Sequence, residues 1–351
     1  MAVKTFFRNL DKKRRRLTHR LEPAIARRLN NRSKFVEHLL PNEKVKRIVI
    51  VRNNGRIGNM YFLLPFVHQV LRLYPKARVD LVLSFPWQGE VFQNLNINHI
   101  YYSHLSLKTI GQSSASIKEL TKNSYDLLLA PSPGACDIFV SALIPSQNKV
   151  SFKNKKTETV FEHSSVTQSD FYHGAYKPLS ILQGLGHELP KQLDHEILFT
   201  TEELVDGIKQ AHRLSQDNKL SFAFFRGARG KKQLTDEEWK AILREFERQH
   251  DQEIHWVEVL SPDVRAPLFP DTDILDCKSL RVLGATLRYL DGFLCCDTGP
   301  LHLADAAGAT CYGFYTETCP QRFGLMGRDC YPIKLHVEPS KVQFEPVARM
   351  A

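Results

Sequence analysis

The chain has 351 residues, of which 42% are hydrophobic and 25% charged, a composition typical of globular proteins and a length sufficient for two domains. Its longest uninterrupted apolar run, residues 61–67, is much shorter than a membrane-spanning helix, which needs roughly 20 apolar residues. The seven cysteines include no Cys-x-x-Cys pair, which favours reduced thiols and a cytoplasmic protein over a disulfide framework or a zinc site.

The net charge of +10 lies entirely in residues 1–34, which contain twelve Lys or Arg and two acidic residues. The remainder contains 36 basic and 36 acidic residues. Apolar residues between Phe6 and Leu21 follow a helical spacing, and Pro23 ends that pattern. We therefore expect a basic amphipathic extension over residues 1–44 that binds an anionic membrane surface through residues 1–34. A helix packed on the body with solvated charges is the alternative, and no motif supports nucleic-acid binding.

From residue 45 onward, short β-branched runs alternate with helical patterns. The predicted strands are 46–51, 78–83, 99–102 and 125–130, then 221–225, 254–259 and 292–296; the predicted helices are 59–73, 236–250 and 279–290. This alternation predicts an α/β chain with two Rossmann-like, doubly wound domains, 45–175 and 176–351, that face a central cleft. Ligands of such sheets bind beyond the carboxyl ends of the strands.

One turn of this kind begins at Asp297, directly after the last predicted strand. Thr298 and Gly299 complete the turn, and Pro300 occupies the first helical position, where its missing N–H is tolerated. The start of that helix would hold a phosphate or diphosphate, and His302 could reach the same anion. An ordinary strand–turn–helix capped by Thr298 remains open on this pattern alone.

The segment from Asp297 to Gly308, Asp-Thr-Gly-Pro-Leu-His-Leu-Ala-x-Ala-x-Gly, resembles the signature of glycosyltransferase family 9, the ADP-heptose:lipopolysaccharide heptosyltransferases. The resemblance covers roughly residues 46–335. It implies a GT-B fold and an inverting transfer without a metal, from ADP-heptose or a similar ADP-sugar to a lipid A–core glycolipid. It places the enzyme at the cytoplasmic face of the inner membrane as a peripheral protein, and no cofactor is expected.

The resemblance also implies roles for individual residues. Arg56 and Gly58, in the first turn after the first strand, are expected to bind the acceptor. The donor-binding residues are expected to be Arg229, Lys232, Asp297, Thr298, Gly299, His302 and Thr318. Among these, Lys232 matches the lysine that the family uses for phosphate.

Asn59 is the main departure, because the family has an Asp at this position of the first turn. An amide can orient an acceptor hydroxyl but cannot take its proton at neutral pH. Three interpretations follow. Asp137 or His173 is the base instead; or transfer runs slowly without a strong base; or the protein is a non-catalytic relative that binds a sugar nucleotide or glycolipid.

The sequence Asp271-Thr272-Asp273 spells the Asp-x-Asp that holds a metal–diphosphate in other glycosyltransferases. It follows Leu268-Phe269-Pro270 rather than an apolar strand. We therefore interpret it as a surface loop and predict no metal site.

Overall fold

A computed structural model describes residues 25–30, 38–103, 110–153, 155–161, 163–164, 172–189, 191–262, 264–276, 279–338 and 341–348. Two sheets organise these residues, one in each half of the chain. The strands are β1 Arg47–Val51, β2 Arg78–Leu83, β3 His99–Tyr102, β4 Tyr125–Ala130, β5 Ser146–Ser151, β6 His163–Ser164, β7 Leu220–Phe225, β8 Ile254–Val259, β9 Asp273–Leu275, β10 Gly292–Cys296, β11 Cys311–Tyr315, β12 Cys330–Glu338 and β13 Lys341–Pro346.

The helices connect these strands in the alternation that the sequence predicts. They are α1 at residues 25–29, α2 Gly58–Leu73, α3 Ile110–Lys122, α4 Ala135–Leu143, α5 Ser180–Gly184, α6 Thr201–Leu214, α7 Asp236–Arg248, α8 Leu280–Leu287, α9 Gly299–Ala307 and α10 Pro320–Phe323. Short 3₁₀ helices lie at Asn42–Lys44, Pro86–Phe92, Thr157–Thr159, Lys177–Leu179 and Gly230–Lys232.

The first sheet has the order β3-β2-β1-β4-β5-β6, and all its pairs are parallel. The strand order reverses between β1 and β4, so β1 lies at the centre with its last four residues buried. A central parallel strand is covered on both faces, which explains its continuous run of β-branched residues. The end of β1 is therefore the point of this half where a ligand crevice is expected.

The second sheet has the order β13-β12-β11-β10-β7-β8-β9, and only the β12–β13 pair is antiparallel. Its central strand β10 is completely buried. The expected architecture of two doubly wound sheets is thus confirmed. The predicted strands and helices also agree with the observed ones, apart from differences of a few residues at their ends.

The connecting segment between the two sheets, described at residues 172–189 and 191–200, makes contact with both halves. The expected boundary between residues 175 and 176 falls within it and stays a prediction. Its backbone is tied to the second half where the Gly174 amide donates to the Arg322 carbonyl at 2.8 Å. Helices α2 and α9, one from each half, also pack against each other, so the carboxyl ends of both sheets meet at a common cleft.

Part of the N-terminal extension packs on the first half. Ala26 of α1 is 2% exposed, whereas Ile25 and Leu29 are 47% and 39% exposed. The side-chain oxygen of Asn30 accepts a hydrogen bond at 2.8 Å from the ammonium of Lys149, a buried residue of β5. The packed-helix alternative therefore holds for α1, while residues 1–24 and 31–37 lie outside the described residues.

None of the helices in the described part of the chain has both the length and the apolar character that a membrane crossing requires.

Candidate active site

The N-terminal ends of α2 and α9 meet where the two halves face each other. A Cβ on Gly58 would lie 3.9 Å from the Cα of Gly299 and 3.4 Å from the His302 ring, and one on Gly299 would collide with Ile57. A side chain at Gly299 would therefore displace the Ile57 side chain, whereas a Cβ at Gly58 would make ordinary contacts with the start of α9. No side chain caps either helix. Two helix N-termini, each with partial positive charge, therefore point at one place.

Asp297 holds the charged groups of this place together. Its carboxylate accepts hydrogen bonds from the Lys232 ammonium at 2.6 Å and the Thr318 hydroxyl at 2.5 Å. The Nε2 of His302 lies 3.1 Å from the other carboxylate oxygen, and the Lys232 ammonium also donates to the Asp297 carbonyl at 2.7 Å. Asp297 follows β10, so the central strand of the second sheet carries the cluster.

The Asp297 carboxyl is buried, and burial acts to raise its pKa. The hydrogen bonds and charges of His302, Lys232 and Thr318 outweigh burial and hold that pKa well below its usual range. The carboxylate stays ionised, so it repels an anionic ligand rather than binding it. The ion pair holds the Lys232 ammonium, whose side chain is 26% exposed and can turn a remaining N–H toward a phosphate.

His302 adds a second donor or acceptor to the cluster. Its ring is buried against Phe62 of α2, with the ring centroids 4.7 Å apart. The Nδ1 atom is buried and has no hydrogen-bond partner among the described residues. Because native proteins rarely leave a buried nitrogen unpaired, this atom marks a place where a ligand group or a water would complete the site.

The remaining expected donor residues lie on the same edge of the second half. Arg229 is exposed and directly precedes the short helix that carries Lys232. Thr298 precedes α9, and its hydroxyl lies 3.2 Å from the Cys295 sulfur. The structure thus brings Lys232, Asp297, His302 and Thr318 into direct contact and places Arg229 on the adjoining loop.

A hydrogen-bonded network around Arg226, which the sequence did not predict, supports this loop. The Arg226 guanidinium donates to Glu258 at 2.6 Å, to Asp236 at 2.5 Å and to the Ala266 carbonyl at 2.7 Å. Glu258 is completely buried in β8. A carboxylate inside an apolar strand predicts a cationic partner, which is the signal that could have revealed this pair.

The turn after β1 forms the opposite wall of the cleft. The side-chain oxygen of Asn54 accepts from the Asn59 amide group at 2.7 Å and from the Arg56 backbone amide at 2.9 Å. Asn59 is half-buried and Arg56 is exposed. Asn59, in the first turn of α2 next to Gly58, therefore lies close to the N-terminus of α9.

Asp137 is enclosed in the first half. It is 0% exposed, and its carboxylate accepts hydrogen bonds from the backbone amides of Gly134, at 2.6 Å, and Asn53. Burial raises the pKa of Asp137 to about 6, although Arg52 and the two amides act to lower it. These contacts join the loops after β1 and β4, so the geometry favours a supporting role over that of an accessible base.

His173 is also enclosed. Its Nε2 donates to the Gly324 carbonyl at 3.1 Å, and its Nδ1 accepts from the Ala175 amide at 3.3 Å. Burial lowers the pKa of His173, which favours the neutral ring with both nitrogens in use. As placed, neither His173 nor Asp137 has an atom open to an acceptor hydroxyl, and the expectation that one of them is the base gains no support.

The Asp-x-Asp sequence lies apart from this cluster. Asp273 begins the edge strand β9, and its carboxylate lies 2.9 Å from the Nε2 atom of His255 in β8. Across the described residues, no three His, Cys, Asp or Glu side chains are grouped as a metal site requires.

Comparisons with a protein-family model and with solved structures both find glycosyltransferases of family 9. The family described as Glycosyltransferase family 9 (heptosyltransferase) matches residues 114–347. Among solved structures, the family 9 glycosyl transferase from Veillonella parvula aligns with a TM-score of 0.69 at 16% identity, covering 82% of this chain and 86% of that chain. No curated protein matches the sequence.

Two further solved structures are from E. coli. Heptosyltransferase WaaC with ADP aligns with a TM-score of 0.62 at 16% identity, covering 82% of this chain and 92% of that chain. ADP-heptose lps heptosyltransferase II aligns with a TM-score of 0.63 at 13% identity, covering 83% and 91%. At these identities the alignments show a shared fold.

Proposed function

Because the chain belongs to glycosyltransferase family 9, we propose that it transfers heptose, or a related sugar, from an ADP-sugar to the inner core of lipopolysaccharide or lipooligosaccharide. The observation that carries this proposal is the meeting of two uncapped helix N-termini with Lys232 at the cleft. This arrangement suits a diphosphate held between the two halves. The E. coli relative whose structure contains ADP supports the choice of nucleotide.

The charge of the leaving ADP is balanced by the protein in this proposal. As the bond between the anomeric carbon and the phosphate oxygen breaks, negative charge grows on the diphosphate. Lys232 and the amides at the start of α9 face that charge, and fixed donors aimed at developing charge are a major source of rate acceleration. Asp297 and Thr318 keep the lysine in place, so no metal ion is needed for this step.

The acceptor hydroxyl attacks from the side of the first half. Asn59 holds its side-chain NH₂ against Asn54, which leaves the amide oxygen as the atom that accepts a hydrogen bond from the acceptor. We propose that Asn59 orients the hydroxyl and that the released proton passes to water. With Asp137 and His173 enclosed, this route without a strong base agrees better with the geometry than the replacement-base route.

The acceptor is proposed to be a lipid A–core glycolipid at the cytoplasmic face of the inner membrane. The basic residues of 1–34, together with the exposed Ile25 and Leu29 of α1, suit an anionic lipid surface. Because α1 is packed on the first half, membrane contact at this segment would hold the acceptor-binding half near its substrate.

Asn59 also favours a second candidate, a non-catalytic relative that binds the sugar nucleotide or the glycolipid. Product analysis by mass spectrometry, after incubation with ADP-heptose and purified truncated lipopolysaccharide, separates the two. We expect a glycolipid heavier by one heptosyl unit, with EDTA present, and no product from Lys232→Met. Binding of ADP-heptose without any product would overturn the enzymatic proposal and leave the binding protein.

A further inference from the structure

Arg281, at the start of α8, joins both halves of the protein and the segment between them. It is 3% exposed. Its guanidinium donates to the carbonyl of Glu90 in the 86–92 helix at 2.9 Å, to the carbonyl of Leu198, and to both carboxylate oxygens of Glu203 in α6. Glu90 belongs to the first half, Leu198 to the connecting segment and Glu203 to the second half. One buried side chain thus fixes three parts of the chain relative to each other.

A hydrogen-bonded path continues from the 86–92 helix to the first turn. Gln88, two residues before Glu90, is completely buried, and its side-chain oxygen accepts from two backbone amides just before the helix at 3.1 and 3.0 Å. Its side-chain NH₂ donates to the carbonyl of Asn54. Asn54 in turn holds Asn59, so a continuous path links an arginine of the second half to the acceptor turn of the first.

From this path we infer that Arg281 is a positioning residue, which holds the acceptor turn in register with the donor site of the other half. The inference rests on the proposed function, because it assumes that the acceptor binds at Asn59. A planar guanidinium can meet the two carbonyls and the carboxylate at once, whereas an ammonium cannot reproduce that geometry. Arg281→Lys therefore keeps the positive charge beside Glu203 and removes the hydrogen bond from residue 281 to the Glu90 carbonyl of the first half.

Arg288, at the end of the same helix, provides a matched control. Its guanidinium donates to the carbonyl of Ala307 at 3.0 Å, a contact that lies entirely within the second half. Arg288→Lys changes an arginine of α8 in the same way but removes no link to the first half.

Hydrogen–deuterium exchange tests the path without requiring activity. In Arg281→Lys we expect the backbone amides of residues 86–92 and 54–60 to exchange roughly tenfold faster or more, because the hydrogen bonds that are lost come from a charged group and are among the stronger ones. In Gln88→Glu, which keeps both accepting contacts and loses the donated one, only residues 54–60 should exchange faster. Arg288→Lys should change neither segment.

Kinetics supply the functional measurement. In Arg281→Lys and Gln88→Glu, kcat/KM for the acceptor should fall on the order of 10²-fold, the effect of misplacing reacting groups by about 1 Å. The Kd for ADP should stay within about twofold of the wild-type value, since Lys232 and Asp297 are untouched. A parallel loss of ADP binding would overturn the positioning role and indicate general loosening of the fold.

The exchange data decide the inference separately from the proposed function. If residues 54–60 exchange at the wild-type rate in Arg281→Lys, Arg281 does not hold the first turn and the inference fails. If Arg281→Lys does not fold, Gln88→Glu alone decides. If the wild-type protein binds no ADP at all, the proposed function fails, and the exchange result still shows whether Arg281 holds the first turn.

Discussion

Lys232→Met is the substitution that most directly tests the donor site. The ammonium of Lys232 is held at 2.6 Å from the carboxylate of Asp297, which lies two residues before the start of α9. Methionine keeps most of the length and apolar volume of the side chain but removes the charge. We expect ADP to bind more weakly while the fold remains intact.

The size of the effect follows from two changes. Losing a hydrogen bond to a charged group costs about 1.5–3 kcal/mol, and each 1.4 kcal/mol corresponds to about tenfold in Kd. Asp297 also loses the cation that neutralises it, and an ionised carboxylate beside a diphosphate is repulsive. We therefore expect a Kd about 10- to 100-fold weaker, at the upper end of that range. Adding Asp297→Asn to Lys232→Met should recover part of the loss.

Isothermal titration calorimetry with ADP, in the presence of EDTA, measures these values. Lys231→Met is the matched control, because Lys231 is exposed on the same short helix, whereas Lys232 makes the ion pair with Asp297. If both lysine variants weaken binding equally, the effect is nonspecific electrostatics and the assignment of Lys232 is wrong. If EDTA abolishes binding to the wild-type protein, a metal carries the charge that we assign to Lys232 and α9.

Three further outcomes are expected. Asn59→Asp should raise turnover by roughly 10²-fold, the usual contribution of a positioned base, and should add an acidic limb to the pH–rate profile; unchanged turnover, with product still formed, would mean that another base operates. Asp297→Asn should lower the free energy of unfolding above about pH 4, and the difference from the wild-type protein should shrink on acidification, because an Asp with a lowered pKa stabilises the fold only while it is ionised. Chemical denaturation from pH 2 to 7 measures this difference, and a difference that does not change with pH would contradict the expectation. Removing residues 1–24, which keeps the Asn30–Lys149 contact, should weaken salt-sensitive sedimentation with anionic vesicles and leave ADP binding unchanged. Equal sedimentation with and without the segment would refute membrane binding by this segment.

The architecture could be predicted from the sequence because its signals are local. Strands such as Arg47–Val51 and Gly292–Cys296 are short apolar runs bounded by turn residues, and each is followed by a helical pattern. The turn that we propose for the donor was equally accessible, because Asp297, Thr298, Gly299 and His302 all lie between positions 297 and 302. Information carried by neighbouring residues survives in a single sequence.

The roles of the individual side chains depended on contacts between distant residues. Lys232 and Asp297 are 65 positions apart in the chain, and only the tertiary structure shows that they form an ion pair. Asp137 follows a strand in the right half, as an accessible base would, but the fold encloses it under the amides of Asn53 and Gly134. The position of a residue after a strand indicates that it lies at the carboxyl edge of the sheet, but it does not tell whether its side chain faces the cleft.

The contacts that join the two halves were the feature least accessible from the sequence. Arg281 carries no motif, and its partners Glu90, Leu198 and Glu203 come from three separate segments. The sequence by itself determined two doubly wound α/β halves, the concentration of positive charge in residues 1–34 and the turn at Asp297–Gly299, because periodicity, charge and motif are local properties. The tertiary structure decided which groups pair, which are enclosed and how the halves are joined, because burial and hydrogen bonding depend on residues that only folding brings together.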